Sequence, residues 1–90
     1  MKKQIKEIEK AMRIFKEKEA IANEAEERFD NDPFNEEIEA EFDRAYEEEY
    51  KALETAAELI AKVIGTETKT ARTMIMKNGD QIIDLVSRVA

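Results

Sequence analysis

Apolar residues recur along this chain at intervals of three, four and seven, the spacing that places them on one side of an α-helix. In the first segment Ile5, Ile8, Ala11, Met12, Phe15, Ala22, Ala25 and Phe29 form one stripe, and Ile14 and Ile21 widen it along one edge. The pattern predicts a helix over about 3–29, roughly 40 Å long at about 1.5 Å per residue. A stripe this wide predicts contact with two neighbours, since a two-helix seam needs less.

Asp30-Asn31-Asp32-Pro33 interrupts the pattern. Asp32 suits an N-cap and Pro33 the first helical position, where its missing N–H costs nothing. A second helix is therefore predicted over about 33–64, with Ile38, Phe42, Ala45, Tyr46, Leu53, Ala56, Ile60, Val63 and Ile64 on one face. So short a connection predicts that the two helices fold back as an antiparallel hairpin. Gly65 stands where a C-terminal cap belongs, and Thr66, Thr68 or Thr70 can cap a third helix over about 68–89. That helix carries Ala71, Met74, Ile75, Ile82, Leu85, Val86 and Val89 in phase. Asn78-Gly79 divides the reading. Cap chemistry, with Asp80 as a fresh N-cap, favours two short helices. The unbroken phase of the stripe favours one helix with a kink at Gly79, and this is the reading preferred here.

Composition agrees with helices and adds exclusions. Two Gly and one Pro in 90 residues leave few breaks, and Ala, Glu, Lys and Met are strong helix formers. The expected fold is all-α, a single helical domain over residues 1–90 arranged as a bundle. With no Cys, His or Trp, the chain has no thiolate nucleophile, no imidazole base, no disulfide and none of the usual ligand sets for zinc, iron or copper. No cofactor is expected, and the chain reads as non-enzymatic. No apolar run approaches the roughly 20 residues of a membrane span. The opening Met1-Lys2-Lys3-Gln4 starts an amphipathic pattern in place of a signal core. A soluble, cytoplasmic protein without membrane contact is the expectation.

Charge is uneven. The chain has 15 Lys and Arg against 22 Asp and Glu, net −7. Residues 1–18 carry +4 (seven bases, three acids), residues 19–58 carry −13 (16 acids, three bases), and each of the stretches 59–64 and 65–90 carries +1. In a hairpin turning near Asp32 the acids occupy the closed tip and its flanks. One reading is a solvated surface that keeps a small protein in solution. The other is a docking face for a basic or nucleic-acid-binding protein, with Glu36, Glu37, Glu41, Asp43, Glu47 and Glu48 as its residues. Direct nucleic-acid binding is not expected, because Lys2, Lys3, Lys6, Lys10, Arg13 and Lys16 spiral around the helix and line no single face.

Metal chemistry fails on spacing. An EF-hand loop begun at Asp30 has Asp32 and Glu41 at the third and twelfth positions, but Phe34 and Asn35 fall where an oxygen ligand and Gly are required. The all-α nucleotide pyrophosphohydrolases bind Mg²⁺ through an acidic pair, a following Glu and then Glu-x-x-Asp. Glu27-Arg28-Phe29-Asp30 supplies only the last part. A weak Mg²⁺ site, and with it a small carboxylate-metal enzyme, stays open as an alternative.

Glu49 breaks its local pattern, projecting into the middle of the second helix's apolar stripe. Lys18, Glu19 and Glu26 intrude similarly on the first. In the hairpin register Glu49 lies about one turn from Lys18, so the two are expected as a buried polar pair. Glu19, Glu26 and Glu49 can otherwise gather to bind a cation or a basic side chain. Two helices and a third across them leave Ile14 and Ile21 uncovered, with Met76 a further exposed candidate. Ile14, Ile21, Tyr46 and Tyr50 are the expected surface of a homodimer or higher oligomer.

In general style, short and rich in Lys and Glu, the chain resembles small proteins of bacterial phages and mobile elements, although no motif carries the resemblance. It implies an acidic inhibitor of a nucleic-acid-binding protein, such as a host-defence nuclease. The expected function is a small non-enzymatic interaction protein acting through its acidic face. A structural, self-assembling role without an acidic-face partner is the alternative.

Overall fold

A computed structural model describes residues 2–89, apart from the side chain of Asp80, and the capping role considered for that side chain lies outside the described residues. Every regular element among them is helical: α1 (Lys2–Asn31), α2 (Glu36–Ile64), α3 (Thr68–Asn78), a 3₁₀ turn (Gly79–Gln81) and α4 (Ile82–Val89). The fold is all-α. No helix among the described residues is long and apolar enough to cross a membrane.

Three boundaries differ from those the sequence predicts, the slightest at the start of α3, whose N-cap is Glu67 with no side-chain cap in place of Thr66, Thr68 or Thr70. The cap of α2 is Asn35 in place of Asp32, and Pro33 and Phe34 form a turn outside the helix. Asn35 Oδ1 accepts the amides of Glu37 (3.0 Å) and Ile38 (3.3 Å), while its Nδ2 donates to Asp32 Oδ2 at 3.2 Å. Because α1 winds on to Asn31, with the Asp32 amide still donating to the Arg28 carbonyl at 3.0 Å, the reversal needs more chain. The helix start moves to the next residue able to cap it.

The second correction falls at Gly79. The C-terminal stretch is not one kinked helix: Gly79 takes φ 55° and ψ −128° and ends α3, its amide donating to the Ile75 carbonyl. That backbone region is open essentially to glycine alone. Ile75 before the break and Ile82 and Val86 after it are all buried, so the stripe keeps its phase although the helix does not. Gly65 closes α2 in the left-handed region, and the amides of Gly65 and Thr66 both reach the Ala61 carbonyl, at 2.9 and 3.1 Å.

α1 and α2 lie against each other, with Lys18 of α1 on Glu48 of α2, and Arg28 and Phe29, further along α1, on the earlier Glu41 and Phe42 of α2. α3 and α4 cover this pair at the end away from the 32–35 turn. There Ile8, Met12 and Phe15 of α1 meet Ala56, Ala57 and Ile60 of α2, Ile75 of α3, and Ile82 and Val86 of α4 in the main core. Near the turn a second, smaller core consists of Ala22, Ala25 and Ala45 with Phe42 packed on it. The molecule is accordingly long, 48 × 19 × 19 Å. One column of α1 records where the cover ends: at seven-residue spacing Ile5 and Met12 pack with the main core, and the next two positions are the exposed Glu19 and Glu26.

Candidate functional site

The acids of residues 19–58 are nearly all in solvent; only Glu49 and Glu54 are half-buried. Glu36, Glu37 and Glu39 occupy the first turn of α2, where carboxylates are favoured by the exposed amides and the positive end of the helix dipole. The six residues expected as an interaction face divide into two groups. Glu41 and Glu48 turn to α1, where Glu41 Oε2 accepts from Arg28 Nη1 at 3.1 Å and Glu48 Oε2 pairs with Lys18 Nζ at 3.3 Å. Glu47 pairs with Lys51 of its own helix, at 3.6 Å. Among the described residues Glu36, Glu37 and Asp43 form no ion pair.

The pairing of Lys18 is a correction. Its partner is Glu48, and neither Lys18 nor Glu49 is fully buried. Neighbouring helical residues differ by about 100° in direction, so the cation that leans to one side of the α1–α2 seam meets Glu48 and leaves Glu49 facing the other. Partial burial raises the Glu49 carboxyl above its ordinary value of 4.5, and the negative charges of Glu19 and Glu26 raise it further. The structure thus brings Glu19, Glu26 and Glu49 within electrostatic reach of one another. No group of three or more carboxylates among the described residues is arranged to hold a metal ion.

A raised carboxyl holds its proton more tightly in the folded chain than in the unfolded one. Folding is therefore favoured at low pH, and this contribution is lost as the pH climbs from 4.5 through the folded value. Glu49→Leu is expected to raise the melting temperature at neutral pH by about 4–8 °C, the shift that about 1 kcal/mol of added apolar burial gives a domain of this size. The variant's advantage should shrink when both proteins are melted below pH 4.5, where Glu49 is protonated and only the gain in apolar burial remains. An equal advantage at both pH values would show that packing alone, and no ionisation cost, separates the two.

The four residues expected as one oligomer surface do not meet. Ile14 lines a shallow groove with Lys10, Ala11, Thr55 and Leu59, and Ile21 lines another with Glu24, Ala25, Arg28 and Ala45. Both grooves run between α1 and α2, one on each side of the Lys18–Glu48 pair. Tyr46 and Tyr50 point roughly 160° around α2 from Glu41 and Glu48. Tyr46 stands edge-on to Phe42, ring centres 6.0 Å apart, and Phe42 contacts Phe29 at 5.2 Å. The Tyr50 hydroxyl accepts from Arg72 Nη1 of α3 at 3.3 Å. No family model, curated protein or solved structure matches this chain. What the surface can do therefore rests on its own geometry.

That geometry adds a residue the sequence reading passed over. Phe34, at the apex of the 32–35 turn, is 95% exposed. It is an aromatic ring standing in solvent between Asp32 and the carboxylates of Glu36 and Glu37. Its signal was present in the sequence: it belongs to neither apolar stripe, and a polar turn gives an aromatic residue nothing to pack against.

Proposed function

We propose that this protein is a non-enzymatic helical interaction protein whose acidic turn end receives a basic or nucleic-acid-binding protein partner. In this reading α1 and α2 work as an antiparallel hairpin, copies of the chain pair, and the protein acts in the cytoplasm as an inhibitor of the protein it captures. The observation that carries it is the exposure of the carboxylates around the turn, with Phe34 at their centre. A ring of unneutralised carboxylates steers a basic partner from a distance. An exposed aromatic side chain gives it an apolar anchor on arrival. Self-assembly without such a partner is the second reading, and the exposed Ile14 and Ile21 favour it.

Affinity capture from the source cell at low and high salt, identified by mass spectrometry, tests the proposal. The expected result is a basic protein retained at low salt and released at high salt. The same protein should be lost from a Glu36→Lys/Glu37→Lys variant and weakened by Phe34→Ala, with the helical content of both variants unchanged. Capture that persists through charge reversal overturns the acidic-face reading. Thermal stabilisation by Mg²⁺ with no salt-sensitive partner would favour a carboxylate-metal enzyme in its place.

A further inference from the structure

The groove side of the hairpin has a charge order that matches its own reverse. Ile14 and Ile21 lie on one line of α1, 40% and 48% exposed, with no helix over them. The half-groove at Ile14 has Lys10 and Glu7 on its rim, both from α1, and the half-groove at Ile21 has Glu24 and Arg28 from α1 facing Glu41, Arg44 and Glu48 of α2, with Arg28 already paired to Glu41. About the midpoint between residues 17 and 18, Ile14 and Ile21 are equidistant, Lys10 and Glu24 nearly so, and Glu7 and Arg28 mirrored in sequence. Along α1, Lys10 and Arg28 on either side of the midpoint thus each have an acid at the matching place on the other side. At the midpoint itself lies Lys18–Glu48, a neutral pair.

We propose that two copies of the chain associate antiparallel along the α1–α2 groove, across a two-fold axis near residues 17 and 18, with Ile14 of each copy against Ile21 of the other and Lys10 against Glu24. The inference rests on the dimeric reading above and gives it a surface and an orientation. A two-fold contact is self-complementary by necessity, each patch meeting its own reverse, and an acid–base order that inverts about a midpoint meets that condition. A parallel arrangement would set Lys10 beside Lys10 and Glu24 beside Glu24. From residue 7 to residue 28 the contact runs along about 32 Å of helix. The small side chains of Ala11, Ala25 and Ala45 along the groove leave room for the incoming isoleucines. Tyr46 and Tyr50, on the other side of the hairpin, stay outside this contact.

Charge exchange tests both the contact and its direction. The wild-type chain is expected to be dimeric at micromolar concentration in sedimentation equilibrium. Lys10→Glu sets a new carboxylate of each copy against Glu24 of the other, and Glu24→Lys sets lysine against lysine. Each variant alone should dimerise about tenfold more weakly or worse. An equimolar mixture of the two should form a heterodimer at wild-type strength, because the new carboxylate of one variant then faces the new lysine of the other, and Glu24 of the first faces Lys10 of the second. The single variants report the direction: a parallel pair already sets Lys10 beside Lys10 and Glu24 beside Glu24, so neither reversal alone would weaken it. Native mass spectrometry would show the mixed species. Circular dichroism of each variant confirms that it folds. A monomeric wild type overturns this interface and the dimeric reading together. A dimer that neither reversal weakens, or that mixing does not restore, overturns the interface alone.

Discussion

Replacing Ile60 with alanine is expected to remove about 3–4 kcal/mol of stability, the middle of the range for truncating an enclosed isoleucine. Ile60 has no exposed surface and belongs to the cluster that joins all four helices. The cost combines the lost transfer energy of three carbons with a cavity that four packed helices cannot close without shifting. For 90 residues the whole stability is on the order of 5–13 kcal/mol, so this one residue governs roughly a quarter of it or more. Urea unfolding followed by circular dichroism should show the midpoint falling with its slope unchanged. Ile38→Ala, at a half-buried position near the turn, should cost about 1 kcal/mol under the same conditions. Equal costs at the two sites would mean that the main core does not hold the fold more firmly than the turn end does.

That contrast has a functional side. The turn end is held by three alanines, Phe42 and its aromatic neighbours, so few methylenes are buried where the acids are densest. The carboxylates of Glu36, Glu37 and Asp43 stand in solvent, and no ion pair among the described residues neutralises them. A basic partner docking there would neutralise that charge and, by binding only the folded chain, add to its stability.

The helices were legible because their apolar stripes are long and in phase, and in-phase stripes are what a bundle core requires. The C-terminal break was not legible from phase. α3 and α4 both fold over one core, so Ile75, Ile82 and Val86 must share a direction whether or not the backbone between them is helical. The conformation of Gly79 decides that point, and only cap chemistry hinted at it. The α2 start was misplaced because Asp32-Pro33 and Asn35 are both good caps, and the choice depends on how far α1 runs before it turns. At the candidate site, the intrusion of Glu49 into the stripe was visible from projection alone. Its separation from Lys18 was not, because one residue of register exchanges Glu48 for Glu49. Phe34 was missed for the opposite reason, since a residue outside every stripe contributes nothing to a search for stripes.

Arg72→Met is expected to destabilise the protein by about 2 kcal/mol, between the small cost of breaking an exposed ion pair and the larger one of stranding a buried charge. Arg72 of α3 sets its Nε 3.0 Å from Glu54 Oε1 of α2, and the two side chains retain 33% and 27% of their exposure. The two contacting atoms are themselves sealed from water and lack the alignment of a hydrogen bond, so the contact is ionic. Methionine keeps the packing of the arginine stem but leaves Glu54 Oε1 enclosed without a cation. Adding Glu54→Leu should therefore restore most of the loss, because the stranded carboxylate is what costs, and an apolar pair of similar volume fills the same place. Tyr50→Phe, which removes only the long contact to Arg72 Nη1, should cost less than about 0.5 kcal/mol. Additive single-mutant effects in this cycle would mean that the two charges hold α3 to α2 independently. A recovery in the double variant would show that α3 is seated by apolar packing, with the ion pair setting only its register.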